Sequence, residues 1–95
     1  MLKQGRRVQE KLLSAVILAG AAAEARLGLA ISAKAVPLAT RRNRIKRLAR
    51  ESFRACRAGL PAVDIVLQAR SGAGAAESSE LRATLERLWR KVADA

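Results

Sequence analysis

The run Arg41-Arg42-Asn43-Arg44-Ile45-Lys46-Arg47-Leu48-Ala49-Arg50-Glu51-Ser52-Phe53-Arg54 carries the chemistry of this chain. Seven of its fourteen residues are Lys or Arg, and one is a carboxylate. Guanidinium and ammonium groups in such density bind phosphates; they do not break bonds by themselves. Ile45, Leu48, Ala49, Ser52, Phe53 and Cys56 recur at i, i+3, i+4, i+7, i+8 and i+11, the spacing of one buried helix face. Arg42, Lys46, Arg50 and Arg54 climb the neighbouring face at i+4 intervals, with Asn43, Arg47 and Arg57 among or beside them. Like charges at that spacing weaken a helix by a few tenths of a kcal/mol per pair, roughly. A polyanion relieves the repulsion, and each neutralised phosphate also releases condensed counterions.

The elements that must position this helix are legible on either side of it. Residues 8–19 are rich in Leu, Val and Ile and end at Gly20. They read as one long strand, or as two joined by a bend near Gln9-Glu10. Residues 21–25 read as a loop or turn, although their Ala content would also permit a helix. Residues 26–33 alternate, with Leu27, Leu29 and Ile31 on one side and Gly28, Ala30 and Ser32 on the other, as in a half-buried strand. Pro37 breaks regular structure, and Thr40 is the expected N-cap of a helix over 41–57. Gly59 and Pro61 stop it. Residues 63–69 form a short apolar strand and 71–76 a Gly/Ala loop. Ser78 or Ser79 is expected to cap a last helix, with Glu80 in its first turn and Leu81, Leu85, Leu88, Trp89 and Val92 on one face. The order is β-β(-β)-α-β-α, which predicts an α+β chain with a small sheet covered on one face by two helices.

Composition narrows the chemistry. Nineteen Lys and Arg against eight Asp and Glu leave a formal charge of +11 on 95 residues. This length suits one domain, 1–95, with a modest core. Phe53 and Trp89 are the only aromatic residues, and there is no His. Both rings are expected in the core, so base stacking cannot be the main source of affinity for a single strand. Cys56 stands alone, which excludes a disulfide within the chain and a cysteine-based metal site, and suits the reducing cytoplasm. The acidic residues are scattered, and Glu51 is expected to pair with Arg47 or Arg54 within its helix. With no nucleophile–base pair and no carboxylate cluster, no catalytic residue is assigned and no metal is expected on the protein. The basic amino end followed by apolar residues imitates a signal peptide, but Glu10 and Lys11 sit too close to the apolar run, which is also too short to span a bilayer. Duplex DNA is disfavoured, because the basic helix follows strands rather than another helix and has neither zinc ligands nor heptads after it. Folded RNA, recognised by phosphate and shape, fits best.

The motif helix closely resembles the signature Arg-Asn-Arg helix of the bacterial ribonuclease P protein family. The flanks agree: Gly5-Arg6-Arg7-Val8 ahead of the first strand, Arg26-Leu27-Gly28-Leu29-Ala30-Ile31-Ser32 with Lys34 before the motif, Leu60-Pro61-Ala62-Val63-Asp64-Ile65-Val66 with Ala69-Arg70 after it, and Leu85-Glu86-Arg87-Leu88-Trp89-Arg90-Lys91 near the end. The resemblance implies a small α/β sandwich, mainly antiparallel, with an unusual left-handed βαβ crossover. It implies a protein subunit joined to a large catalytic RNA, which cuts the 5′ leader from precursor tRNA with RNA-bound Mg2+ ions. It places Arg42, Asn43, Arg44, Lys46, Arg47 and Arg50 on the motif. Arg42, Arg44 and Arg47 are then the main contacts to the catalytic RNA, and Lys46 and Arg50 line the leader side. Asn43 has a competing role, bonding the backbone near the helix start. Lys34 and Arg54 are further phosphate candidates. The resemblance also implies a helix ahead of the first strand with aromatic residues lining the leader cleft; that helix is expected to be largely absent here, and Leu13, Val16 and Leu18 stand in the first long strand where an aromatic would be. No membrane and no duplex DNA partner is implied. The other function compatible with the basic helix is that of a structural RNA-binding protein of the ribosome or its assembly.

Overall fold

The computed structural model describes residues 6–20 and 23–94. Four strands, β1 (Arg6–Gln9), β2 (Leu13–Ala19), β3 (Arg26–Ala30) and β4 (Val63–Ala69), form one sheet in the order β1-β2-β4-β3. The pairs β1–β2 and β2–β4 are antiparallel, and β3–β4 is parallel. Helix α1 (Ala39–Cys56) makes the crossover between the two parallel strands, and α2 (Ser78–Asp94) follows β4. This is the mixed α+β architecture expected, with the bend near Gln9-Glu10 dividing the first apolar run into two strands.

Register explains the layering. Val8, Ala15, Leu67 and Leu29 lie in one cross-strand row, and Ile17, Ile65 and Leu27 in the next inward one. Successive residues of a strand point to opposite faces, so Arg7, Val16, Val66 and Gly28 form an outward row. The inward face packs on Ile45, Leu48, Ala49 and Phe53 of α1 and Leu81, Leu85, Leu88, Trp89 and Val92 of α2, all buried. Phe53 and Trp89 meet edge to face with ring centroids 5.7 Å apart, and the indole N–H donates to Ser52 Oγ at 2.8 Å. Both rings are core residues, as their positions on the two apolar stripes imply. Cys56 is partly buried against the same core, and burial pushes its thiol pKa up, so it stays protonated at neutral pH.

Several boundaries differ from expectation. Strand β3 ends at Ala30, because the chain turns over Ser32–Val36: the Val36 N–H donates to Ser32 O and the Ala35 N–H to Ser32 Oγ. Val36 is buried and anchors that turn. Helix α1 begins at Ala39, so Thr40 lies inside it; the cap position is Leu38, with no side-chain cap. Ser78 is the first residue of α2 rather than its cap, and the Leu81 N–H reaches back to Glu77 O. Glu51 makes no ion pair among the described residues. At Gly20 a Cβ would sit 3.0 Å from Ala62 O, so the close approach of the two backbones there requires glycine.

One ion cluster ties the hairpin to α2. The Glu10 carboxylate, only 12% exposed, accepts from Arg87 Nε at 2.8 Å and Lys91 Nζ at 2.6 Å. Those bonds, Arg87 first, hold its pKa below the ordinary 4.5. A carboxylate with a depressed folded-state pKa adds stability above the unfolded value and loses it as pH falls through the folded one. The Glu10→Gln variant is therefore expected to be less stable than the parent at neutral pH, with the gap closing below about pH 4; thermal melts across that range check it. Phe53→Ala is expected to lower unfolding free energy by about 3–5 kcal/mol, read by denaturant titration.

Candidate nucleic-acid interface

Helix α1 is held by its tertiary contacts rather than by its own sequence. It has no acidic residue in its first turn, no side-chain N-cap, and like charges at i,i+4 along one face. What offsets these is the burial of Ile45, Leu48, Ala49 and Phe53. Pinning that stripe to the sheet and α2 turns the remaining side chains outward.

The outward side chains fall into two groups. Arg42 and Arg44 are partly buried and their guanidinium donors are taken by main-chain carbonyls. Arg42 Nη1 donates to Val36 O and Pro37 O, both at 2.9 Å, closing the turn that leads into the helix. Arg44 Nη2 donates to Gly74 O at 3.2 Å and Ala76 O at 2.6 Å, tying α1 to the loop before α2. Its Nε is buried without an acceptor. A guanidinium has five N–H donors, so each still has some unused, but their direction is set by the carbonyls. Arg57 is also engaged, donating to Ala25 O at 3.0 Å and lying 3.6 Å from Glu24 Oε2.

Arg41, Asn43, Lys46, Arg47, Arg50 and Arg54 form the second group. Among the described residues none of them makes a side-chain hydrogen bond or ion pair, and only Lys46 is partly covered. Among the described residues the backbone bond considered for Asn43 is not made, and its side chain is exposed. Lys34 is exposed in the turn between β3 and α1. Among the described residues the cations of this group and Lys34 meet no side-chain partner.

A groove of about 530 Å³ runs between β3 and α1. Leu27, Leu29 and Phe53 line it together with Arg26, Lys46, Arg50, Arg54 and Arg57. Five cations thus surround an apolar floor. Arg26 is set at its edge by a two-pronged bond to Asp64, Nε to Oδ1 and Nη2 to Oδ2, both at 2.9 Å. That bond lowers the Asp64 pKa, keeping the pair ionised. The helical stripe pointed to Lys46, Arg50, Arg54 and Arg57; Arg26, from β3, joins them only through the fold. Beyond the groove the outer face of the sheet shows Val16, Leu18 and Val66, with Leu18 40% exposed and no aromatic side chain.

Among the described residues no three of His, Cys, Asp and Glu come together in a way that could hold a metal ion. Among them, too, no helix is long and apolar enough to cross a membrane.

The family model for ribonuclease P matches residues 1–93. The ribonuclease P protein component of Pseudomonas putida is 48% identical over 68 residues, 72% of this chain and 51% of that protein. The component from Erwinia tasmaniensis is 48% identical over 66 residues, 70% of this chain and 56% of that one. This chain therefore spans about half the length of the curated relatives it matches. Solved structures agree on the fold. The RNase P protein of Staphylococcus aureus superposes with a TM-score of 0.84 at 27% identity, covering 92% of this chain and 80% of that one. The Thermotoga maritima protein, in complex with a fluorophenyl thiourea, gives 0.83 at 27% identity, covering 95% and 88%. A sheet crossed by an Arg-Asn-Arg helix, matched over almost its whole length by one family, places this chain in the ribonuclease P protein family.

Proposed function

We propose that this chain acts as a single RNA-binding domain, the protein subunit of a ribonuclease P ribonucleoprotein. It binds the catalytic RNA and the 5′ leader of precursor tRNA and assists endonucleolytic removal of the leader in tRNA 5′ maturation. The observation that carries this reading is the row of cations on α1, Lys46, Arg47, Arg50 and Arg54, whose charges meet no acceptor among the described residues. Bond breaking rests with the RNA and the Mg2+ ions it binds; the protein supplies phosphate contacts and orientation. Arg41, Asn43 and Arg47 face the catalytic RNA, with Lys34 beside them. Lys46, Arg50 and Arg54 hold the leader along the groove, where an apolar floor receives sugar and base edges. In this groove the only aromatic among the described residues is the buried Phe53, so what the groove adds to leader affinity comes mainly from phosphate contacts. Arg42 and Arg44 act on the interface by fixing the two ends of the helix's surroundings.

The deciding experiment mixes the purified protein with its catalytic RNA and precursor tRNA at physiological magnesium and salt. Faster leader removal than by RNA alone is expected, and none from protein free of RNA. Failure to bind the RNA or to improve cleavage would sink the proposal. Six to ten phosphate contacts would cost roughly 10³–10⁵ in affinity between about 50 and 200 mM salt. Arg47→Ala and Arg50→Ala should each lower the salt slope by about one contact. Arg44→Ala should lower the melting temperature as well as the slope, because its Nη2 braces Gly74 O and Ala76 O while its charge stays uncompensated, whereas Arg47→Ala and Arg50→Ala should leave the melting temperature near the parent value.

A further inference from the structure

A second concentration of positive charge lies at the other edge of the sheet. Strand β1 and the groove strand β3 are the two edges, three strand spacings or roughly 14 Å apart. The turn between β1 and β2 carries Glu10, on which Arg87 and Lys91 of α2 converge. Arg70, just after β4, donates to the Glu10 main-chain oxygen at 3.1 Å, and Lys91 also donates to Gln9 O. Lys11 is exposed beside them. A lone carboxylate is neutralised by one cation. Here Arg87 and Lys91 bond the carboxylate and Arg70 bonds the main-chain oxygen of the same residue, so three cations gather on one carboxylate and two charges are left uncompensated before Lys11 is counted.

These cations are also held with donors unused. Arg87 gives Nε to Glu10 and Nη2 to Thr84 Oγ1 at 3.3 Å, which leaves Nη1. Lys91 has three donors and two acceptors, Glu10 Oε2 and Gln9 O. The Arg87 and Lys91 side chains remain about half exposed, at 49% and 47%. Each of these bonds helps dock α2 and the end of β4 on the hairpin, but the cations outnumber the carboxylate and their mutual repulsion opposes that docking. A phosphate arriving there would meet donors already fixed in place, with little further ordering to do.

We infer that Arg70, Arg87, Lys91 and Lys11, gathered on Glu10, form a second phosphate-contact surface. It engages a segment of RNA backbone distinct from the one along α1. This rests on the RNA-binding reading above and adds a second point of attachment, so that the protein bridges two parts of the ribonucleoprotein rather than lying along one.

The test is the salt dependence of binding to the catalytic RNA, measured for the full chain and three variants, each shown to be folded by its melting curve. Lys91→Gln and Lys11→Gln should each make the log–log slope shallower by about 0.9, one phosphate contact. Glu10→Gln should act in the opposite direction. It removes the competing carboxylate, so binding at low salt tightens and the slope steepens, even though the variant is less stable. A purely structural cluster predicts lower stability with an unchanged or weaker interaction. The inference is overturned if Lys91→Gln keeps the parent slope, or if folded Glu10→Gln fails to steepen it. If Arg47→Ala still lowers the slope in that case, the proposed function stands and only the second surface falls. If the parent chain does not bind the RNA, both fall.

Discussion

Everything in this molecule depends on burying one stripe of α1. Ile45, Leu48, Ala49 and Phe53 enter the core between the sheet and α2, and the Phe53–Trp89 contact joins the two helices. Without that burial a helix with stacked like charges, no N-cap and no acidic first turn would have little reason to form. Core packing therefore holds a row of cations at a spacing their own repulsion disfavours. A polyanion laid along that row would relieve the repulsion.

The arginines are not equivalent, although they share a charge. Arg42 and Arg44 brace main-chain carbonyls at the ends of connecting segments, one leading into α1 and one leading into α2. Main-chain carbonyls leave the guanidinium charge uncompensated while fixing its place. These two side chains thus raise the positive potential of the surface and hold its shape at the same time. Arg47, Arg50 and Arg54 have no such acceptors among the described residues and remain available to a partner. One basic run is thus divided between side chains that order the loops around it and side chains left without an acceptor among the described residues.

Acidic residues complete the pattern by their positions. Asp64 sits opposite Arg26 on the outer face of the sheet and fixes that guanidinium at the groove edge. Glu10 does the same for Arg87 and Lys91 at the opposite edge. In both places a single carboxylate orients cations beside a surface that keeps a positive excess. With +11 on the whole chain, such pairs serve more to aim charge than to cancel it.

Much of this was legible in the amino-acid order, because it is local. The apolar periodicities set the buried stripes of both helices, and the stretch 63–69 coincides with β4. The Arg-Asn-Arg run and its flanks announced the family. Helix starts were misplaced by a residue or two, since Thr40, Ser78 and Ser79 are good caps in isolation while packing of Val36 and the Arg42 bonds set where α1 begins. Tertiary structure alone decided the roles of individual charges. Arg44 meets carbonyls 30 and 32 residues away, and Glu10 meets Arg87 across 77 residues. Any residue can offer a main-chain carbonyl, so no side-chain pattern marks such an acceptor beforehand. Only when the sheet sets β1 and β3 at opposite edges does a uniform excess of cations become a braced helix, a groove and a charged turn.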